Sequence, residues 1–257
     1  MTARRPTFPT RLDRPSGPKP VVRPARVAGS PVSPAAAPQG LGLDSGAVRA
    51  RMVQKLAAQG ISDPRVLAAL GHVERHRFVD TALVNQAYED TSLPIGLGQT
   101  ISKPNVVARM IELLLAGQPA DAPLGRVLEI GTGCGYQAAV LARVAREVYS
   151  IERLRGLHDK ARENLRPLRI PNVHLLFGDG MVGYAKGAPY AGIIAAAGGE
   201  AVPQAWIDQL AVDGRIVAPT VMPGGQQALV VIDKTATGLQ RSALEPVHFV
   251  PLKSGIA

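Results

Sequence analysis

Apolar residues recur at helical spacing near the start of the folded part of the chain. The spacing over residues 44–60 predicts a first helix, and Ser62-Asp63-Pro64 supplies the cap and the first-turn proline of a second helix that runs to Leu70. Residues 83–103 show scattered polar groups without a period, which predicts a loop. Apolar residues return to helical spacing over residues 104–115, which predicts a third helix.

From residue 126 onward, short apolar runs alternate with amphipathic segments. The runs predict strands over 126–130, 147–151, 172–177, 190–195 and 214–218, with helices over 136–145, 155–166 and 203–210. Such alternation indicates parallel strands joined by crossover helices, hence a doubly wound, Rossmann-like α/β sheet that binds ligands at the carboxyl ends of its strands. Two last runs, 228–232 and 240–249, have no helix between them and predict an antiparallel C-terminal edge.

The 257 residues are 46% hydrophobic, which is enough for one α/β domain, expected over residues 44–257. The net charge of +9 is concentrated in residues 1–43, which carry seven Lys or Arg, one acid and nine prolines. This composition predicts a disordered basic tail. The tail is a plain solvated extension or makes weak contact with nucleic acids or anionic surfaces.

The number and spacing of the cysteine and histidine residues indicate the cellular compartment and whether a metal site is expected. The one cysteine, Cys134, excludes an internal disulfide and a thiolate zinc site. His72 and His76 lie in His-Val-Glu-Arg-His, not in the His-Glu-x-x-His of a zinc protease, so no metal site is expected. The apolar runs fall short of the roughly 20 residues that span a bilayer. We therefore expect a cytoplasmic protein without a membrane anchor.

A glycine loop follows the first predicted strand in Glu129-Ile-Gly-Thr-Gly-Cys-Gly135. Its three glycines let the backbone turn sharply and approach a ligand closely. Glu152 ends the next apolar run, twenty-one residues after Gly131, where its carboxylate is placed to accept hydrogen bonds from both hydroxyls of a ribose. This combination predicts a site for a nucleoside-containing cofactor.

The residue after the loop narrows the choice among cofactor classes. Tyr136 stands where a dinucleotide fingerprint needs its last glycine, and the chain contains no phosphate-binding Gly-x-x-x-x-Gly-Lys-Ser/Thr string. Glu-x-Gly-x-Gly-x-Gly is instead typical of class I methyltransferases that use S-adenosylmethionine (AdoMet). A glycine-rich turn of an ordinary α/β protein is the alternative.

Two further segments carry candidate ligand contacts. Asp179 and Gly180 lie in a turn after the third strand, where the carboxylate either accepts from the amine of adenine or binds its own backbone. The segment from Leu93 to Pro104 presents the hydroxyls of Thr100 and Ser102 near a helix start. As chemistry this indicates a polar, anion-binding loop, although Ser102 is also a plausible helix N-cap.

Three segments together resemble the protein-L-isoaspartate (D-aspartate) O-methyltransferases. They are "LPIGLGQTISKPNVVARMIELL", "RVLEIGTGCGYQAAVLA" and "VHFVPL", and the similarity runs from about Val48 to the C-terminus. The resemblance implies methyl transfer from AdoMet to the α-carboxylate of L-isoaspartyl residues in damaged proteins and peptides, followed by repair through a succinimide.

The resemblance also implies roles for individual residues. Thr100 and Ser102 would hold the acceptor carboxylate, with Ser102 at the position assigned as the active site. The cofactor-binding residues would be Glu129, Gly131, Thr132, Gly133, Gly135, Glu152, Asp179 and Gly180. Leu97, Ala191 and His248 depart from the usual family pattern, and His248 replaces a frequent arginine.

Two other functions stay open from the sequence. One is an AdoMet-dependent methyltransferase for a small molecule or RNA, although residues 196–199 lack the Asn/Asp-Pro-Pro-Tyr/Phe tetrad that holds an amino group in nitrogen methylation. The other is a non-enzymatic protein that binds AdoMet or nucleic acid through the basic tail.

Overall fold

A computed structural model describes residues 46–257, so the predicted disordered tail lies outside the described residues. Within these residues, three α-helices precede the main sheet: α1 (Gly46–Ala58), α2 (Pro64–His72) and α3 (Pro104–Leu115). The predicted cap of α2 is confirmed, because Asp63 accepts a hydrogen bond from the amide of Arg65 at 2.8 Å.

The strands and the remaining helices alternate as the apolar pattern predicts. A small hairpin comes first, formed by β1 (Leu93–Gly96) and β2 (Gln99–Ile101). The main strands are β3 (Leu124–Ile130), β4 (Ala145–Glu152), β5 (Val173–Phe177), β6 (Tyr190–Ala195), β7 (Leu210–Val221), β8 (Gln227–Thr235) and β9 (Gly238–Val247). The helices between them are α4 (Tyr136–Leu141), α5 (Arg155–Leu165) and α6 (Gln204–Gln209).

The main sheet has the order β5-β4-β3-β6-β7-β8-β9. Strands β3 to β7 are parallel, and β8 and β9 pair antiparallel, which confirms the predicted mostly parallel sheet with an antiparallel C-terminal edge. The strand order reverses at β3, which lies between β4 and β6. This switch point opens a crevice at the carboxyl ends of the strands, where ligands bind in such folds.

The core lies on both faces of the sheet. Successive residues of β3 alternate, so that Val127 packs with the residues of α1 to α5 and Leu128 packs on the opposite face around Trp206 of α6. Glu129 and Ser150 are register partners on β3 and β4. They therefore lie side by side, both fully buried.

The structure corrects two sequence predictions. Helix α4 ends at Leu141 instead of residue 145, because Ala145 already pairs with β3 and the side-chain Nδ2 of Asn172 donates to the carbonyl oxygens of Ala142 and Ala145. The segment 83–103 is not a plain loop. It contains the end of one 3-10 helix, Thr81–Gln86, and the β1–β2 hairpin. The hairpin turn is short and its strands have three or four residues, too few to show an alternating pattern.

None of the helices described between residues 46 and 257 combines the length and the apolar character needed to cross a bilayer.

Candidate cofactor and acceptor site

A cavity of about 470 Å³ lies at the switch point of the sheet, at the carboxyl ends of β3, β4 and β6. Its walls come from the glycine loop, the end of β4, the β1–β2 hairpin and the segment Val250–Lys253. The predicted site residues on these walls are Thr100, Ser102, Gly131, Thr132, Gly133, Glu152 and Gly180. Most of the residues predicted from separate segments are therefore brought together.

The glycine loop turns through backbone conformations that favour glycine. Gly131, Gly133 and Gly135 have φ angles of 89°, 57° and 91°. The first two line the cavity, whereas Gly135 precedes α4 and faces the helix layer. A Cβ at Gly135 would lie 3.0 Å from Leu165 Cδ1, so this glycine serves the close packing of α4 and α5.

Glu152 is the last residue of β4 and lines the cavity while only 5% exposed. Its Oε2 accepts a hydrogen bond from the amide of Gly133, and its Oε1 accepts one from the amide of Leu154, both at 2.9 Å. A carboxylate has about four acceptor positions, so both oxygens keep capacity for ribose hydroxyls. The carboxylate is also fixed relative to the glycine loop.

Glu129 lies behind the cavity wall, because it is fully buried and does not line the cavity. Its Oε2 accepts from the hydroxyl of Ser150, which in turn is 2.6 Å from the hydroxyl of Thr132 in the loop. Burial raises the pKa of Glu129 to about 8, and the hydrogen bond from Ser150 opposes that rise only in part. Burial therefore disfavours the ionised form of Glu129, and its contact with Ser150 supports the glycine loop from behind the cavity wall.

Of the two adjacent residues Asp179 and Gly180, only Gly180 lines the cavity. The carboxylate of Asp179 accepts from the amides of Met181 at 2.8 Å and Gly255 at 2.7 Å. The structure thus shows the backbone-binding alternative for Asp179. Its predicted contact with adenine stays a prediction.

Thr100 and Ser102 lie where the cavity meets a second groove. That groove has a volume of about 1010 Å³ and runs between the start of α3 and residues 245–251. Both residues line both spaces, and neither hydroxyl is hydrogen-bonded to another described residue. Lys103, not Ser102, is the N-cap of α3 and makes no side-chain cap bond, so the interpretation of Ser102 as a helix cap is wrong.

Leu97, the departure from the family pattern expected at the rim, lies between two glycines at the hairpin turn with a φ of 52°, and the residue is 62% exposed at the edge of the cavity. Several other cavity residues were not predicted. Val250, Leu252 and Lys253 close one wall. Adjacent glycines were the available signal for the turn, but no pattern in the sequence shows that the last residues fold back across the sheet edge.

Cys134 also lines the cavity but is shielded from solvent. The side chain is buried, and burial raises the pKa of its thiol to about 11. A thiol with this pKa is almost entirely protonated at neutral pH, so it contributes no nucleophile to the site.

The two histidines with metal-like spacing are not brought to the cavity. His72 is exposed, and His76 Nδ1 lies 2.7 Å from the hydroxyl of Tyr88. Within residues 46–257, no group of three or more His, Cys, Asp or Glu side chains is arranged to hold a metal ion.

A doubly wound sheet with a glycine loop at its switch point and an acid at the end of the neighbouring strand is a Rossmann-like site for a nucleoside-containing ligand. Tyr136 in place of the last glycine of a dinucleotide fingerprint, together with the antiparallel edge of β8 and β9, fits the AdoMet-dependent methyltransferases within this class. The profile of the protein-L-isoaspartate(D-aspartate) O-methyltransferases matches residues 47–257. The chain belongs to this family.

Curated relatives support the same assignment. The chain is 62% identical over 264 positions to the protein-L-isoaspartate O-methyltransferase of Methylibium petroleiphilum, covering 97% of this chain and 96% of that one. It is 61% identical over 218 positions to the enzyme of the same name from Leptothrix cholodnii, covering 84% and 77%. The similarity to the Methylibium protein extends over nearly the full length of both chains.

Solved structures show the same fold. One protein-L-isoaspartate O-methyltransferase superposes with a TM-score of 0.72 at 28% identity, covering 81% of this chain and 67% of that one. A structure from Plasmodium falciparum, described as a putative enzyme of this kind in complex with S-adenosyl-L-homocysteine, has a TM-score of 0.67 at 24% identity and covers 80% and 98%.

Proposed function

We propose that this protein transfers a methyl group from AdoMet to the α-carboxylate of L-isoaspartyl residues in damaged proteins and peptides, which starts their repair through a succinimide. Family membership supports the reaction, and the arrangement of the site supports the placement of its two substrates. One cysteine and the lack of a spanning helix in the described chain are compatible with work in the cytoplasm.

The observation that carries the proposal is the position of Thr100 and Ser102 at the junction of two spaces. The cavity has the acid, the glycine loop and the size suited to a nucleoside with an amino-acid arm. The groove has the larger volume, which gives room for a segment of a polypeptide substrate. The hydroxyls of Thr100 and Ser102 have no hydrogen-bond partner among residues 46–257 and are available to donate to an acceptor carboxylate that enters from the groove.

The cavity residues fit AdoMet. The oxygens of Glu152 have spare acceptor positions for the ribose, and the backbone of Gly131 and Gly133 borders the space for the amino-acid arm. Gly180 borders the space for adenine, where a Cβ would lie 2.5 Å from Ile130 Cγ2. Bound AdoMet would supply a methyl group on a positively charged sulfur.

The residues of the site need little acid–base chemistry. An α-carboxyl has an ordinary pKa of about 3.5, so the acceptor is already ionised at neutral pH. Hydrogen bonds from Ser102 and Thr100 would orient one carboxylate oxygen and leave the other facing the methyl group. Such alignment is worth up to roughly 7–11 kcal/mol of the barrier. Positioning is therefore the main task of this site.

The direct test uses paired synthetic peptides that differ only in isoaspartate or aspartate at one position, with methyl-labelled AdoMet. Base-labile label should appear on the isoaspartyl peptide and be near background on the aspartyl peptide. Equal labelling of both peptides would contradict the substrate assignment. Label on RNA or a small molecule, without label on either peptide, would favour the alternative methyltransferase.

A further inference from the structure

Arg75 is a fully buried cation between the two parts of the site. It opens a 3-10 turn before the β1–β2 hairpin, and its side chain has no exposed surface. Its Nε donates to the carbonyl of Ala87 and its Nη2 donates to the carbonyl of Ser102, both at 2.8 Å. Its Cζ lies 4.7 Å from the ring centre of Tyr136, the first residue of α4.

Burial of the charged Arg75 side chain has a free-energy cost that an apolar side chain of the same size would not have. Burial lowers the pKa of the Arg75 guanidinium, since the charged form loses its hydration. The hydrogen bonds that replace water go to two neutral carbonyls, supplemented by the face of an aromatic ring. A buried charge is weak support for stability, because apolar residues of similar volume commonly serve as well.

The contacts of Arg75 instead connect the acceptor loop, residues 99–103 with Thr100 and Ser102, to the end of the glycine loop, which is the proposed cofactor loop. Ser102 is held through its carbonyl by Arg75, while its hydroxyl has no hydrogen-bond partner among residues 46–257. Tyr136, whose ring lies against the guanidinium, lines the cavity directly after the glycine loop. The other end of the hairpin is held separately, because Lys160 Nζ donates to the carbonyl of Ile95 at 3.0 Å.

We propose that Arg75 is a positioning residue that sets the distance and orientation of Ser102 relative to the cofactor cavity, through one hydrogen bond to the Ser102 carbonyl and one stacked contact with Tyr136. This inference rests on the proposed role of Ser102 in holding the acceptor carboxylate. A displacement of about 1 Å at a reacting group costs up to about 100-fold in rate, so a loosened Ser102 should impair transfer to the peptide.

The first experiment compares Arg75→Lys and Arg75→Met with wild type in the full chain. We expect kcat for an isoaspartyl peptide to fall about 10- to 100-fold, with the Kd for S-adenosylhomocysteine within about threefold of wild type. Arg75→Lys, which keeps the cation, should retain more activity than Arg75→Met. Normal kcat in both folded variants would overturn the proposal, as would equal losses in kcat and cofactor binding.

A matched control is available in Arg215. It also donates to two carbonyls, those of Leu113 and Ala116, and pairs with Asp233 at 2.6 Å, but it lies away from both the cavity and the groove. Arg215→Lys should lower thermal stability without changing kcat. If Arg215→Lys reduces kcat as much as Arg75→Lys, the effect of Arg75 is general destabilisation and the proposal fails.

A double-mutant cycle with Ser102→Ala separates this inference from the proposed function. If Arg75 acts through Ser102, the double variant should lose little more activity than Ser102→Ala alone. Fully multiplicative losses would overturn the inference while leaving the role of Ser102 intact. Unchanged peptide kinetics in Ser102→Ala alone would instead contradict the proposed role of Ser102, whatever Arg75 does.

Should neither Arg75 variant fold, the unmodified protein provides a second measurement. With ¹⁵N-labelled arginine, the slowly exchanging guanidinium signal of buried Arg75 should shift when an isoaspartyl peptide binds beside S-adenosylhomocysteine. The signal of Arg215 should not move. No shift at Arg75 under saturating peptide would contradict its coupling to the acceptor loop.

Discussion

The carboxylate of Asp179 accepts a hydrogen bond from the amide of Gly255 at 2.7 Å, across 76 positions of sequence. The same carboxylate caps the following 3-10 turn through the amide of Met181. Asp179 therefore connects the end of β5 to the segment that carries Val250–Lys253 along the cavity wall. Asp179 therefore has a structural role that does not depend on a cofactor: it accepts hydrogen bonds from two backbone amides.

Asp179→Ala should lower the stability of the ligand-free protein by about 1–3 kcal/mol, because two backbone amides lose their acceptor. AdoMet affinity should fall as well, since the cavity wall loses its attachment. Thermal unfolding without ligand and calorimetric titration of AdoMet measure the two effects. A loss of affinity with no change in ligand-free stability would favour the predicted contact with adenine.

Glu152→Ala should weaken AdoMet binding about 10- to 100-fold, since hydrogen bonds to a charged acceptor contribute about 1.5–3 kcal/mol each. Glu147→Ala is the control, because Glu147 lies on the same strand but pairs with Arg126 at the surface. Calorimetric titration of both variants checks the prediction. An unchanged Kd for Glu152→Ala would remove this carboxylate from the cofactor site.

Ser102→Ala should reduce methyl transfer to an isoaspartyl peptide at least 10-fold and leave AdoMet affinity near wild type, if its hydroxyl holds the acceptor carboxylate as proposed. Thr100→Val should act in the same direction. Ser242→Ala, on the exposed edge strand β9, is the control and should behave as wild type. Parallel losses of rate and cofactor affinity in Ser102→Ala would show that the serine is structural.

Glu129 should make stability depend on pH. Its pKa is about 8 in the fold against an ordinary 4.5, so the unfolded chain ionises first as pH rises. The contribution of this group to stability is therefore full below pH 4.5 and declines by up to about 1.4 kcal/mol per pH unit until about pH 8.

The neutral variant Glu129→Gln isolates this effect. Its stability relative to wild type should rise between pH 5 and pH 8, as measured by urea unfolding in a series of buffers. Glu163→Gln, an exposed change on α5, is the matched control and should run parallel to wild type. If the difference between Glu129→Gln and wild type is constant with pH, Glu129 is ionised in the fold.

Deletion of residues 1–43 should leave folding and peptide methylation essentially intact. The prediction rests on the nine prolines and the local charge of the segment, and on a family match that starts at residue 47. Thermal midpoints and initial rates of full-length and shortened protein decide it. A large loss in either would show that the segment docks on the catalytic domain.

Most of the fold follows from local signals in the sequence. Continuous apolar runs such as Tyr190–Ala195 mark strands buried on both faces, and this strand has exactly the predicted bounds. Helix ends were less predictable. Residues 142–145 have ordinary helical character, but pairing of Ala145 with β3 ends α4 early, and this pairing depends on distant residues.

The candidate site was predictable where chemistry coincides with a short motif. The glycine loop, Glu152 and the hydroxyls of Thr100 and Ser102 all lie on the cavity. Contacts between residues that are distant in sequence were not predictable. No local pattern marks Arg75 as buried, because its guanidinium contacts residues that are distant in sequence, Ala87, Ser102 and Tyr136.

Cys134 has a practical consequence for anyone who labels this protein. It is the single cysteine of the sequence, and its thiol is both shielded and protonated at neutral pH. A cysteine introduced at an exposed position should therefore react with a maleimide probe while the native one stays unmodified. Spectroscopic reporters can be placed on the hairpin or on the groove without first removing a residue from the cofactor loop.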